Sequence, residues 1–178
     1  MATPTVADIF DVLQEARHLP FSGERVDQLT HALLCAGRAI NAGADSELVI
    51  ACAFHDIGRV RTVRLQYRGM PHEHAGAAYC AHVFTPRVAW LVGAHVVAKR
   101  YMVAVDPNYR ESLSTASTRS LEQQGGPLSN EELLSFAVHP WMLAALQLRR
   151  WDEAAKDPIA SAPRLSDLAD HIVKVTSL

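Results

Sequence analysis

Residues 46–58 read Ser-Glu-Leu-Val-Ile-Ala-Cys-Ala-Phe-His-Asp-Ile-Gly, and the body of that stretch, Leu48 to Phe54, is apolar on every side. A helix without a polar face must be enclosed by other elements, so this one is expected at the centre of the molecule. Asp45 or Ser46 can cap its start. Gly58 fits the left-handed residue that commonly follows a helix terminus. His55 and Asp56 therefore stand at the inner end of the most hydrophobic helix in the chain, a nitrogen ligand beside a carboxylate.

Working outward, the patterns are helical on both sides. Val6 to Leu19 is amphipathic on Ile9, Phe10, Leu13 and Ala16, and Glu24 to Ala42 forms a second helix ended by Asn41-Ala42-Gly43. Arg59 to Pro71 loses the pattern and reads as a basic loop. A helix begins near His72 and carries Ala75, Gly76, Ala77 and Ala78, residues small enough for close helix approach. Thr85-Pro86 looks like an N-cap followed by proline at the first helical position, starting a helix that runs to about Tyr101. Further helices are expected from Ser114 or Thr115 to Gln124, from Ser129 or Asn130, from His139-Pro140 through Trp151, and from Leu165 to Val175. No stretch alternates as a strand does, so the expected fold class is all-α: a compact bundle of about seven to nine helices.

The bulk numbers agree with one domain over 1–178: 178 residues, 49% hydrophobic and 20% charged. No apolar run is read as reaching the roughly 18 residues of a membrane helix. A formal charge of -2 gives no basic field for nucleic acid. The start, MATPTVADIF, lacks the features of a secretory signal, and Cys35, Cys52 and Cys80 form no CxxC pair; reduced thiols and a cytoplasmic location are expected. Histidine is plentiful at nine residues, and only three of 17 basic residues are lysine: Lys99, Lys156 and Lys174.

Several of these residues fall in apolar helices. His31 sits among Leu33, Leu34 and Cys35, His72 opens a helix of small residues, His95 ends the run VAWLVGAH, and Asp152 follows Trp151. Each alone is compatible with a satisfied core histidine or a surface aspartate. Together they are better explained jointly, because buried imidazoles and carboxylates are costly unless a metal ion pairs with them. Lys99 lies four residues after His95 on the same helix face, and either reaches toward whatever His95 holds or is an ordinary solvated lysine. Ser117, Ser120 and Gln124 make a polar stripe that is either solvent-facing or a cradle for an anion. Arg149 either touches that anion or pairs with Asp152, three residues away.

The order His31, His55-Asp56, Asp152 resembles the HD-domain superfamily of metal-dependent phosphohydrolases, and His72 to Gly76 with His95 resembles its dinuclear branch. The runs GAHVVAKRYMV, SLSTASTRSLEQQGGP and LRRWDE are similar to the PhnZ type of mixed-valent diiron oxygenases, which cleave the carbon-phosphorus bond of α-hydroxyphosphonates. The resemblance covers about residues 6–157 and leaves 158–178 as a C-terminal extension. It implies an HD domain with two iron ions, Fe(II) and Fe(III), held by His31, His55, Asp56, His72, His95 and Asp152, with Asp56 bridging. It also implies O₂ as co-substrate and a small organophosphonate as substrate: 2-amino-1-hydroxyethylphosphonate or a trimethylammonio or hydroxymethyl analogue. Lys99, Ser117, Ser120, Gln124 and Arg149 then face the phosphonate. Phe21 and Glu24 fall on a loop that closes over the substrate, Glu24 meeting an amine, and Phe21 stands where the family has tyrosine. Arg59 replaces a histidine that contacts the phosphonate. No side chain beyond the metal ligands is implied as catalytic, and no nucleic acid, membrane or protein partner is implied. The alternative is a dinuclear HD phosphohydrolase acting on a small phosphomonoester or nucleotide. A third reading is an inactive HD module that binds a phosphorylated metabolite or a partner protein. His18, His74, His82, His139 and His171 receive no role, and His74, two residues from His72, is the one most easily confused with a ligand.

Overall fold

A computed structural model describes residues 4–20, 25–157 and 159–176; Phe21 and Glu24, the two expected lid residues, lie outside them. Thr5 opens α1 (Val6–Gln14) with a capping box, its hydroxyl accepting from the Asp8 N–H at 3.2 Å while its own N–H donates to the Asp8 carboxylate at 2.8 Å. The chain then tightens into a 3₁₀ turn over Glu15–His18, so the one helix expected to Leu19 is two pieces. Asp27, not Glu24, sets the start of α2 (Gln28–Asn41): its carboxylate accepts the Thr30 N–H at 2.7 Å. Asp45 caps α3 (Ser46–Phe54) in the same way, at 2.9 Å from the Leu48 N–H.

The basic stretch expected as a loop holds a 3₁₀ turn over Ile57–Arg59 and the short helix α4 (Arg61–Gln66). Its buried apolar positions are Val60 and Val63, and two such positions among arginines are too few to show as periodicity. Next come α5 (His72–Val83) and α6 (Pro86–Val105). Thr85 precedes Pro86 as expected, but its side chain makes no cap bond; its hydroxyl donates to Glu47 on α3 at 2.6 Å. α7 (Pro107–Ser112) was not expected, and it buries Tyr109. α8 (Thr115–Gln123), α9 (Asn130–Ala137) and α10 (Met142–Ala154) follow; Ser114 and Ser129 cap the first two. A 3₁₀ turn over Leu165–Leu168 leads into α11 (Ala169–Val175). The fold is all-α: among the described residues only isolated bridges, Pro20 with Asp27 and Phe84 with Thr176, have extended pairing.

α3 is the centre, with every residue from Leu48 to Phe54 buried. It packs against α2, α6, α10 and α11, and the buried side chains form one continuous core. The C-terminal segment is part of that core: Leu168 and Ile172 are fully enclosed, and the Thr85 N–H donates to the Val175 carbonyl at 3.0 Å. By length and composition α6 is apolar enough to cross a membrane, which the sequence reading did not recognise. Here it is a core helix, more than half buried against α3, α5 and α10.

Two glycines set how closely the site elements meet. A Cβ on Gly58 would run into the His72 carbonyl and lie 2.9 Å from the Gly76 N, so the segment after His55-Asp56 touches α5 backbone to backbone. Gly58 is not in the left-handed region expected of it, where the glycines are Gly43, Gly69, Gly125 and Gly126. Its role is close approach. A Cβ on Gly93 would lie 3.2 Å from the Ala77 Cβ, and this draws α5 onto α6 through the small residues singled out in the sequence.

Candidate metal centre

Five elements deliver six side chains to one place. His31 comes from α2, His55 and Asp56 from the end of α3, His72 from the first residue of α5, His95 from the middle of α6 and Asp152 from α10. His31, His55, His95 and Asp152 are all at most 5% exposed. Because α3 is enclosed on all sides, whatever ends it is enclosed too.

Each imidazole is fixed through Nδ1. His31 donates to the Ala155 carbonyl at 2.9 Å, His55 to the Cys52 carbonyl at 2.8 Å and His95 to the Val92 carbonyl at 2.7 Å, while His72 Nδ1 lies 3.0 Å from the Glu73 carboxylate. This leaves Nε2 of each ring turned inward. His31 Nε2 and His55 Nε2 are 3.1 Å apart, and His72 Nε2 and His95 Nε2 are 3.2 Å apart. Two neutral rings that both give Nδ1–H to an oxygen present lone pairs to each other at Nε2, an arrangement that calls for a cation between them.

The carboxylates complete two groups. Asp152 Oδ1 lies 3.1 Å from His31 Nε2 and 3.7 Å from His55 Nε2. Asp56 turns Oδ2 toward His55 at 3.9 Å and Oδ1 toward His72 at 3.1 Å and His95 at 3.8 Å. Ligands about 2.1 Å from one ion stand roughly 3.0–3.4 Å apart. The His31–His55, His31–Asp152, His72–His95 and His72–Asp56 separations of 3.1–3.2 Å fit that. Those of Asp152 to His55 and of Asp56 to His55 and His95, at 3.7–3.9 Å, are wider, and Asp56 belongs to both groups that could hold an ion. Imidazole and carboxylate together suit iron, manganese, cobalt or zinc.

The electrostatics are consistent with a place built for positive charge. Burial alone would raise the Asp56 and Asp152 carboxyls, but Arg59 and the histidines around Asp56, and Arg149 with His55 and His31 around Asp152, hold both well below the usual range. Burial, then the charges of His72 and His55, push His95 down to about 3, so its ring is neutral and able to ligate. Arg59 donates to Asp56 Oδ1 at 2.9 Å and lies 3.0 Å from His72 Nε2.

A cavity of about 510 Å³ opens beside this cluster. Lys99, Ser117, Ser120, Gln124, Arg59 and Arg149 all line it, so the structure brings together every described residue expected to face the phosphonate. Lys99 is 4% exposed and donates to Ser120 Oγ at 2.8 Å. Burial and then the nearby Arg149 guanidinium lower it to about 8. Arg149 is already engaged by the Tyr109 hydroxyl at 2.7 Å and by the Asp152 and Glu153 carboxylates, so of its two expected roles the structure displays the pairing with Asp152. Ser117 bonds Glu153 and Lys156 at 3.0 and 2.9 Å.

Sequence reasoning missed Gln28, Tyr109, Glu153, Lys156 and Glu73. Glu153 and Lys156 were within reach, since Arg149, Asp152 and Glu153 recur at helical spacing on α10 and Lys156 continues that spacing just past its end. Gln28 carried only its place one turn before His31. It is 6% exposed, lines the cavity, and its Oε1 is buried with no hydrogen-bond partner, as is Oε1 of Gln124. Of the unassigned histidines, His74 is exposed, His139 stacks on Trp90 at 3.7 Å and His171 lies 3.0 Å from Ser46 Oγ.

No family model matches the chain. A curated protein of Gimesia maris, hydroxymethylphosphonate dioxygenase, is 34% identical over 178 residues, covering 97% of this chain and 87% of that one. The chain belongs to the hydroxyphosphonate dioxygenase family. A second member, [1-hydroxy-2-(trimethylamino)ethyl]phosphonate dioxygenase (glycine-betaine-forming) of Leisingera caerulea, is 33% identical over 156 residues, 85% of this chain and 78% of that one. An uncharacterized protein of Acanthamoeba polyphaga mimivirus is 31% identical over 158 residues, 85% of this chain and 72% of that one. This membership favours oxygenase chemistry over the phosphohydrolase alternative and over an inactive module. The match to the Gimesia maris family member also extends past residue 157, consistent with a C-terminal helix that is part of the core.

Proposed function

We propose that the protein is an O₂-dependent dioxygenase that holds two iron ions, Fe(II) and Fe(III), and cleaves the carbon-phosphorus bond of a small α-hydroxyphosphonate. The observation that supports it most is the Asp56 carboxylate, one oxygen toward His55 and the other toward His72 and His95. His31, His55 and Asp152 with Asp56 Oδ2 would hold one ion; His72, His95 and Asp56 Oδ1 would hold the other. When bound, the pair supplies the redox chemistry with O₂.

The chain's own residues bind, orient and shield. Lys99 and Ser120, already hydrogen-bonded to each other, offer an ammonium and a hydroxyl to the phosphonate oxygens. Ser117 and Gln124 stand on the same wall. Arg59 adds a planar, permanently charged donor where it lines the cavity beside His72. Its contact with His72 Nε2 at 3.0 Å uses a nitrogen that would also hold the metal, so a guanidinium released from that nitrogen would be free to meet the phosphonate. Arg149, held by Tyr109 and Glu153, positions Asp152. The enclosed histidines keep water from the reacting carbon.

The balance is simple: hydroxymethylphosphonate and O₂ give formate, phosphate and one proton, with the carbon oxidised and O₂ reduced. Hydroxymethylphosphonate heads the substrate panel, because it is the compound named for the Gimesia maris family member that matches 97% of this chain. The 2-amino and trimethylammonio compounds complete it and test Glu24. The experiment is anaerobic loading with iron and ascorbate, then O₂ uptake and phosphate release on that panel. Equal consumption of O₂ and release of phosphate is expected; phosphate released from phosphomonoesters without O₂ would overturn the reading.

A further inference from the structure

The stretch Arg59-Val60-Arg61-Thr62-Val63-Arg64-Leu65-Gln66-Tyr67-Arg68 has four arginines, of which only Arg59 is used above. Val60 and Val63 are buried beneath α4, and Arg61, Arg64 and Arg68 are exposed on its other side. They line a second cavity of about 600 Å³ together with Arg59. Its walls otherwise consist of apolar residues, Tyr67 and Gly69, with no carboxylate among the described residues. Four cations around one cavity repel one another unless an anion comes between them. The chain as a whole carries a net charge of -2, so this positive field is local.

The second cavity and the metal-centre cavity have Arg59 as a common wall. A smaller cavity of about 250 Å³ is lined by Arg59 and Arg64 and also by Gln28 and His72. Gln28, Arg59 and His72 line the metal-centre cavity as well, so Arg59 belongs to all three. Between Arg61, Arg64 and Arg68 and the metal centre an anion would meet Arg59, whose guanidinium pairs with the Asp56 carboxylate on the metal-centre side.

We propose that the cavity lined by Arg61, Arg64 and Arg68 is a second anion site, which receives a tetrahedral phosphorus dianion and exchanges it with the metal-centre cavity through Arg59. The chemistry is shared by two sources: the phosphonate substrate arriving and inorganic phosphate departing. The assignment of those sources rests on the function proposed above; the site itself rests on the cavities and their charge. Arginine suits such a station because its charge is permanent and its planar donors fit phosphoryl oxygens.

The test uses the iron-loaded, oxygen-free protein and its Arg64→Gln/Arg68→Gln variant, both checked for fold by circular dichroism and melting. Inorganic phosphate is titrated by calorimetry with and without one equivalent of hydroxymethylphosphonate, which the metal-centre cavity is expected to take up first. The wild-type protein is expected to retain a phosphate-binding event when hydroxymethylphosphonate fills the metal-centre cavity, and the variant is expected to lose it. A wild-type protein with no such event, or a variant that keeps it unchanged, overturns the site. Two kinetic arms separate the sources. For arriving substrate, the wild-type kcat/KM falls several-fold between about 0.05 and about 0.5 M salt and the variant's slope is flatter. For departing product, inhibition by added phosphate weakens in the variant. Equal salt slopes overturn the substrate arm, and equal phosphate inhibition overturns the product arm. Failure of the wild-type protein to turn over any hydroxyphosphonate overturns the proposed function, while the calorimetric count still decides the site.

Discussion

The two halves of the metal centre are built differently. His31 and His55 are at most 1% exposed, and both are anchored on backbone carbonyls, which the fold holds rigid. His72 has a side chain 16% exposed, is anchored on the Glu73 carboxylate, and shares its inward nitrogen with Arg59. His31 and His55 are part of the core and do not line the cavity; His72 and His95 do, His95 as deeply held as the first pair and His72 the more open of the two. An ion at His31 and His55 is therefore expected to be tight and slow to exchange. One at His72 and His95 is expected to be more labile and to be the ion that substrate meets.

The largest effect comes from removing the residue that joins the halves. Asp56→Ala would take one proposed ligand from each of the two proposed ions, and it leaves Arg59 without its carboxylate. Activity should fall by more than the roughly 10–100-fold that altering an outer partner of a metal ligand costs. The spectroscopic coupling between irons should vanish. Persistent coupling would show that another group bridges them.

The asymmetry itself is tested by a matched pair. His31→Ala should leave protein with neither ion held firmly, whereas His72→Ala should retain the ion at His31 and His55, giving about half the iron by metal analysis. Glu73→Gln is gentler: it leaves all proposed ligands in place but exchanges the anionic partner of His72 for a neutral one. Its second ion should bind about 10–100-fold more weakly and its first ion unchanged. Equal weakening of both ions would show that the halves are not distinct.

Lys99 separates the anion wall from the metals. Burial and Arg149 lower its ammonium to about 8, and the protonated form is the one that attracts a dianion. Binding favours the protonated state, so KM should be level below pH 8 and rise above it, by at most about tenfold per unit. Lys99→Met should raise KM at neutral pH and remove this rise, with iron content unchanged. A variant whose KM still climbs above pH 8 would place the titrating group elsewhere.

The unequal legibility of the sequence follows the same division. The sealed half was readable because α3 has no polar face, so His55 and Asp56 at its end had nowhere to be but inside. His31 and His95 were readable as polar residues in apolar helices, and the family resemblance ordered them into one set. The cavity half was less readable. The buried apolar positions under α4 are Val60 and Val63, too short a pattern to be seen among arginines, and its further tie, Thr62 to the Glu15 carboxylate, is not local. Tyr109 lies on a six-residue helix, and nothing local says that it holds Arg149 across forty positions. Gly58 was correctly singled out for the wrong reason: the constraint comes from His72, which only the packing of α5 reveals. Start points were displaced where a stronger cap stood nearby, as Asp27 shows for α2.

The smallest predicted effect concerns Gln28, at the border between the two halves, one turn before His31 and on the cavity wall. Its buried Oε1 has no donor among the described residues. An unpaired buried acceptor costs about 1–3 kcal/mol, and replacing it by an apolar group of similar size recovers part of that. Gln28→Leu should therefore stabilise the protein by about 1 kcal/mol, read as a higher urea midpoint with an unchanged slope. A residue kept at a cost to stability is expected to serve the ligand, so the same variant should bind hydroxymethylphosphonate a few-fold more weakly. Gln28→Glu retains an acceptor and should preserve the preference for hydroxymethylphosphonate over methylphosphonate, which lacks the hydroxyl donor. A leucine variant that is more stable and binds both compounds as the wild type does would make Gln28 part of the packing beneath His31, and the border between the halves would lie nearer Arg59.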